Sequence, residues 1–149
     1  MPDGAEIAHA LPVDPSEVIA RFTINDGHYA KSKGKVKTTM FSPPSHLRLS
    51  VFRTKGLTDT TTAELGQAEF GDKLEVPKKV LAWATITAEK VTSTGLNFFP
   101  GSAAQPPKQA HPRHADVVGW PPIEGGELAK SERLKIAGLL AEAATLHLV

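Results

Sequence analysis

Two histidines, an arginine and an aspartate fall within six residues, His111-Pro112-Arg113-His114-Ala115-Asp116, directly ahead of Val117-Val118-Gly119-Trp120-Pro121. Imidazole, guanidinium and carboxylate groups this close together can move a proton, hold an anionic oxygen or ligate a metal. Pro112 makes the spacing of His111 and His114 a loop spacing rather than a helical one. A zinc ion would need further ligands from Asp116, His46 or His28, with no cysteine and no His-Glu-x-x-His helix to support it. Neither a metal nor a cofactor is therefore expected.

Phosphate chemistry uses the same groups more directly. His114 can exchange a proton, and Arg113 can hold a phosphate oxygen through two parallel bonds. Metal-independent cleavage of a phosphodiester needs a base, an acid and a cation around one phosphate. His46 is the candidate second proton-transfer residue, because the run His-Leu-Arg-Leu-Ser puts His46, Arg48 and Ser50 on one face of an expected strand. The paired His-x-Ser/Thr strands of two-histidine phosphodiesterases are not completed, since Ala115-Asp116 follows His114. A structural use competes with catalysis: Arg113 pairing with Asp116 or a nearby acid, and the histidines capping loop backbone.

Arg21, Arg53 and Arg113 each stand in or beside an expected strand, next to Phe22, Phe52 and His114. On a common face, with His111 beside them, they would bind phosphate or carboxylate. Lys31, Lys33, Lys35 and Lys37 alternate with no acid among them. That run is either a solvated hairpin or a sequence-independent contact with a nucleic-acid backbone. Tyr29, Phe41 and Phe52 are available for stacking. Trp120 is a core anchor or a contact with a protein partner.

These residues must be positioned by a single domain. The chain has 149 residues, 40% of them apolar, with 12 Pro, 12 Gly and a net charge of +1. That length buries a sizeable core without crosslinks. The absence of cysteine excludes disulfides, thiolate metal sites and a cysteine nucleophile. Acid at the N-terminus, where a signal peptide carries base, and the lack of any membrane-length apolar window lead to the expectation of a cytoplasmic protein with no membrane contact.

Residues 1–14 read as a flexible lead-in and 15–149 as one domain. Strands are expected around 17–24, 36–41, 46–54, 79–87, 96–99 and 117–118. A short helix capped by Thr58 or Asp59 should run to about Phe70, and a helix capped by Ser131 to about His147. Pro100 to Pro112 reads as a loop. Strands interrupted by helices, without strict alternation, give an α+β fold: a mostly antiparallel sheet of five or six strands, a short middle helix and a long C-terminal helix packed on it.

The combination of Val36-Lys37 and Phe41, Ser50-Val51-Phe52-Arg53, and Arg113-His114-Ala115-Asp116 leading to Gly119-Trp120-Pro121 resembles a group of small bacterial proteins to which no activity is attached. The similarity spans about residues 17 to 147. It implies that Arg53, Arg113, His114 and Trp120 belong to one pattern. Three functions fit the residues. Recognition of a phosphate-bearing ligand, nucleic acid or nucleotide, ranks first. Assembly with a protein partner through the apolar C-terminal helix and Trp120 ranks second. Catalysis by a metal-independent phosphodiesterase or ribonuclease ranks third.

Overall fold

Alternation of apolar and polar side chains builds the centre of the sheet. In Val18–Thr23 (β1), Ile19 faces one side, Ala20 and Phe22 the other, and all three are buried. The computed structural model describes residues 11–101 and 111–149. Residues 1–10 of the expected lead-in and 102–110 of the expected loop lie outside the described residues. The remaining strands are β2 (Tyr29–Ala30), β3 (Lys35–Val36), β4 (Leu49–Arg53), β5 (Ala82–Thr87), β6 (Asn97–Pro100), β7 (His114–Val118) and β8 (Thr145–Leu148). The helices are α1 (Asp59–Gly66), α2 (Ala88–Thr92) and α3 (Gly126–Ala143).

Six strands form one antiparallel sheet in the order β6-β7-β4-β1-β5-β8, and β2 pairs with β3 in a separate hairpin. The protein is α+β, as expected. One face of the sheet carries Ile19, Leu49, Val51, Ala84, Ile86, Ala115 and Val117, packed against Ala137, Leu140 and Ala141 of α3 and against Met40 and Phe41. The opposite face carries Ala20, Phe22, Phe52 and Trp83 under α1, with Ala63, Leu65 and Phe70 against them. Among the described residues, no helix is long and apolar enough to cross a membrane.

Thr58 caps α1, accepting from the Thr61 amide, and a wider turn over Gln67–Gly71 extends the helix past Gly66. Gly66 sits where a Cβ would lie 2.4 Å from the Phe22 ring. Gly66→Ala gains helix propensity but overpacks a buried aromatic, and the clash dominates. The expected net loss is about 1–3 kcal/mol, read as a lower Tm. A raised Tm would show that the ring has room to move.

Three expectations are corrected. The C-terminal helix starts at Gly126, not Ser131, and ends at Ala143, where Ala144 turns extended (ψ 156°). Residues 145–148 then pair with β5 as an edge strand. Of the expected 36–41 strand only Val36 is in a strand, the two-residue β3 it forms with Lys35. Thr38–Phe41 forms a 3-10 turn, which lets the adjacent Met40 and Phe41 both enter the core. Finally, β4 begins at Leu49 rather than His46, because Leu47 adopts a left-handed φ of 59° and breaks the alternation.

Candidate functional site

The two motifs that stood out in the sequence are neighbours in space. β4 and β7 pair antiparallel with Ser50 opposite Asp116, Val51 opposite Ala115 and Phe52 opposite His114. The Arg53 amide continues the ladder by donating to the Arg113 carbonyl at 2.7 Å. β6 adds Phe99 opposite Asp116. Alternation then sorts the side chains. Ser50, Phe52, His114 and Asp116 lie on the α1 side of the sheet, and Arg53 and Arg113 alternate onto the α3 side.

On the α1 side the polar groups form a connected cluster. Ser50 Oγ and His114 Nε2 are 2.6 Å apart, and Asp116 Oδ1 lies 3.6 Å from the same nitrogen. Arg48 Nε donates to the other carboxylate oxygen of Asp116 at 2.8 Å. The Arg48 guanidinium stands over the Phe99 ring, 5.0 Å from its centroid. The Phe52 ring meets His114 edge-on, with centroids 5.2 Å apart. Exposure grades through the cluster: His114 and Asp116 are 2% exposed, Ser50 is half-buried, and the Arg48 side chain is 44% exposed. A charged fork is thus held by a carboxylate at Nε and by an aromatic face, and stays partly exposed.

The three arginines do alternate onto a common face, but each serves the frame. Arg53, 4% exposed, makes a bidentate pair with Glu17 (Nε to Oε1 2.8 Å, Nη2 to Oε2 2.6 Å). It also donates to the Leu11 and Pro12 carbonyls, so Leu11–Asp14 of the expected lead-in is tied to the domain. Arg113, 3% exposed, donates to the carbonyls of Arg53 and Lys55, which fixes the chain leaving β4. Arg21 donates to the carbonyls of Met40 and Ser50, and burial pushes its guanidinium down to about 10, still charged at neutral pH. Carbonyl and carboxylate partners hold the three arginines inside the fold.

The other predicted residues scatter. His46 is exposed in the turn before β4, its Nδ1 accepting from the Arg48 amide, and Ser50 takes the place beside His114 that the sequence reserved for it. His111 Nδ1 accepts from the Arg113 amide, the backbone-capping role foreseen for a loop histidine. Trp120 is buried in the core, with Nε1 donating to the Val117 carbonyl. Lys31, Lys33, Lys35 and Lys37 are all exposed on the β2–β3 hairpin. That hairpin packs against β8 and α3, at the sheet edge opposite Arg48 and Phe99. Among the described residues, no three His, Asp or Glu side chains converge as a metal would require.

Phe99 and the Arg48–Asp116 pair escaped sequence reasoning. Arg48 and Asp116 are 68 positions apart, and Phe99 belongs to a short edge strand; only the register across β4, β7 and β6 brings them together. A cleft of about 510 Å3 opens beyond α1, lined in part by Lys55, Asp59, Trp83, Thr85 and His147, with Asp14 and Glu17 also on its wall. Its acids outnumber its lysine, which makes it a poor receptor for an anion.

His28 gives the frame a pH dependence of its own. Its Nδ1 lies 2.7 Å from Thr23 Oγ1. Burial depresses its imidazole below the ordinary value, and the nearby Arg21 charge adds to the effect. The unfolded chain therefore takes up a proton near pH 6.5 before the folded one does. Stability is full above that pH and falls as the pH drops through the lower folded value. A Tm series from pH 8 to 5 should show the decline, and His28→Gln should flatten it. An unchanged slope in the variant would assign the effect elsewhere.

Compared with known proteins, the chain matches no protein-family model, no curated protein and no solved structure.

Proposed function

We propose that this protein recognises a phosphate-bearing ligand, nucleic acid or nucleotide, at the Arg48–Phe99 edge of its sheet. One observation carries the reading: Arg48 is 44% exposed yet held in place by Asp116 and the Phe99 ring. An arginine pre-organised in this way loses little freedom when it grips an anionic oxygen. Phe99, 54% exposed, offers an aromatic surface for a base beside that charge. Arg53, Arg113 and Arg21 build the frame beneath it, so Arg48 takes over the ligand-facing role that the sequence suggested for them.

The lysine hairpin adds a second positive surface at the far edge. From Gly27 to Thr58 the chain contains no acid, while Lys31, Lys33, Lys35, Lys37, Arg48, Arg53 and Lys55 all fall within it. A polyanion long enough to reach both edges gains from both. Labelled single-stranded RNA and DNA of increasing length, titrated at two salt concentrations, test this. Affinity should rise with length and fall steeply with salt. Replacing the four hairpin lysines by glutamine should reduce the salt slope without abolishing binding of a mononucleotide. Salt-independent affinity, or no binding of any probe, would overturn the reading.

A further inference from the structure

We propose that Ser50 is a nucleophile activated by His114 and directed at the phosphorus of a phosphodiester. Recognition of the ligand at Arg48 sets only the substrate class; the chemistry rests on a separate contact. Ser50 Oγ and His114 Nε2 are 2.6 Å apart, and in the tautomer that leaves Nε2 unprotonated the hydroxyl donates to that nitrogen and can hand it its proton. Asp116 Oδ1, 3.6 Å from that nitrogen, is placed to favour the imidazolium once it forms. This is not the arrangement of a Ser-His-Asp triad, in which the carboxylate binds the opposite ring nitrogen. Asp116 acts here through charge rather than by orienting the ring.

Orientation comes instead from the sheet. His114 lies in the β4–β7 ladder with its ring edge-on to Phe52, and Arg21 holds the Ser50 carbonyl at 3.1 Å. His114 and Asp116 are buried while Ser50 is half-buried, so Ser50 is the most accessible of the three residues. Arg48 lies two residues before Ser50, just ahead of β4, with its Nε committed to Asp116 and its side chain still 44% exposed. A non-bridging phosphate oxygen gripped there puts the phosphorus beside Ser50 Oγ.

The step balances without a metal or a redox partner. The Oγ–P bond forms as the Ser50 proton passes to His114 Nε2. The bond from phosphorus to the leaving alkoxide breaks, and that oxygen takes the proton back from Nε2. Water then attacks the phosphoserine, giving its proton to Nε2, and the P–Oγ bond breaks as Ser50 is reprotonated. The sum is a diester plus water giving a monoester and an alcohol.

Two probes test this on the full chain. Diisopropyl fluorophosphate, which is uncharged, should leave one adduct on Ser50 by intact mass and peptide mapping. Bis(4-nitrophenyl) phosphate, an anionic diester, should release 4-nitrophenolate. Ser50→Ala should lose both signals, and His114→Ala should reduce each at least 100-fold. His114→Gln serves as a second variant that keeps a hydrogen bond to Ser50, with Tm confirming that it folds; it should be as inactive as His114→Ala. Arg48→Ala should still be labelled by the uncharged reagent while losing turnover of the charged diester. No adduct on Ser50, labelling that is unchanged without His114, or absence of turnover would each overturn the proposal. Labelling and turnover without oligonucleotide binding would uphold it while removing the nucleic-acid reading.

Discussion

Arg53→Ala is expected to cost about 3–5 kcal/mol of stability, the usual result of removing one partner from a buried, hydrogen-bonded ion pair. The Arg53 guanidinium and the Glu17 carboxylate are 4% and 8% exposed and joined by two bonds. Without Arg53 the carboxylate stays buried with no countercharge, and the Leu11 and Pro12 carbonyls lose their donor. For a chain of this size the Tm should fall by roughly 10 °C, at about 2–4 °C per kcal/mol. Burial alone would raise the Glu17 carboxyl, but its bonds with Arg53 and the Asp14 amide more than offset this and hold it below the usual range. Its contribution is therefore present above the ordinary carboxylate pKa and lost as pH falls through the lower folded value.

The double variant Glu17→Leu/Arg53→Met separates frame from site. Exchanging both charges for apolar side chains of similar reach should recover much of the lost stability, because no buried charge is left without a partner. Ligand affinity in that variant should match wild type. An Arg53 that contacted ligand would instead lose binding while regaining stability.

Arg48→Ala should act in the opposite way, chiefly on binding. Hydrogen bonds to a charged group are worth about 1.5–3 kcal/mol each when lost, so affinity for a phosphate-bearing ligand should drop roughly 10- to 150-fold. The substitution also strips Asp116, 2% exposed, of its cationic partner, so some stability is lost with it. Arg48→Met combined with Asp116→Asn removes that second effect and should still fail to bind. Arg48→Lys keeps the charge but not the planar fork, and it should recover only part of the affinity. Phe99→Ala, at an exposed position, should weaken oligonucleotides more than inorganic phosphate, since only a base can stack on the ring. Full affinity in the Arg48/Asp116 double variant would place the ligand elsewhere.

Local patterns carried much of the fold into the sequence. The period-two run at Val18–Thr23 marked the central strand, Thr58 marked the start of α1, and alternation placed Ser50 and Phe52 on one face of β4. Two of the errors share a cause: no punctuating residue at the real boundary. No glycine or proline separates α3 from β8, where Ala143-Ala144-Thr145 passes from helix to strand, so Leu146 and Leu148 read as more helix. Leu47, a branched residue with φ 59°, gave no hint of the turn that removes His46 from the strand.

The candidate site was half legible. His114 and Asp116 were visible as chemistry, and Ser50 and Arg48 as members of a strand face. Which arginine meets Asp116 depended on register between β4 and β7, more than sixty residues apart, and no local pattern encodes that. The same blindness made Arg53 and Arg113 look ligand-facing. Arg53 follows Phe52 and Arg113 precedes His114, both of which face the α1 side, and a one-residue step along the chain moves a side chain to the other face of the sheet.

The most direct test of the central claim is an amide NMR titration of the wild-type protein with a short single-stranded oligonucleotide. The largest, saturable shifts should map to Arg48, Phe99 and the Ser50–His114 strand pair, with the Lys31–Lys37 hairpin responding only to longer oligonucleotides. Saturable shifts confined to the cleft around Trp83, Thr85 and His147, or to α3, would contradict a phosphate-recognition site at the Arg48 edge.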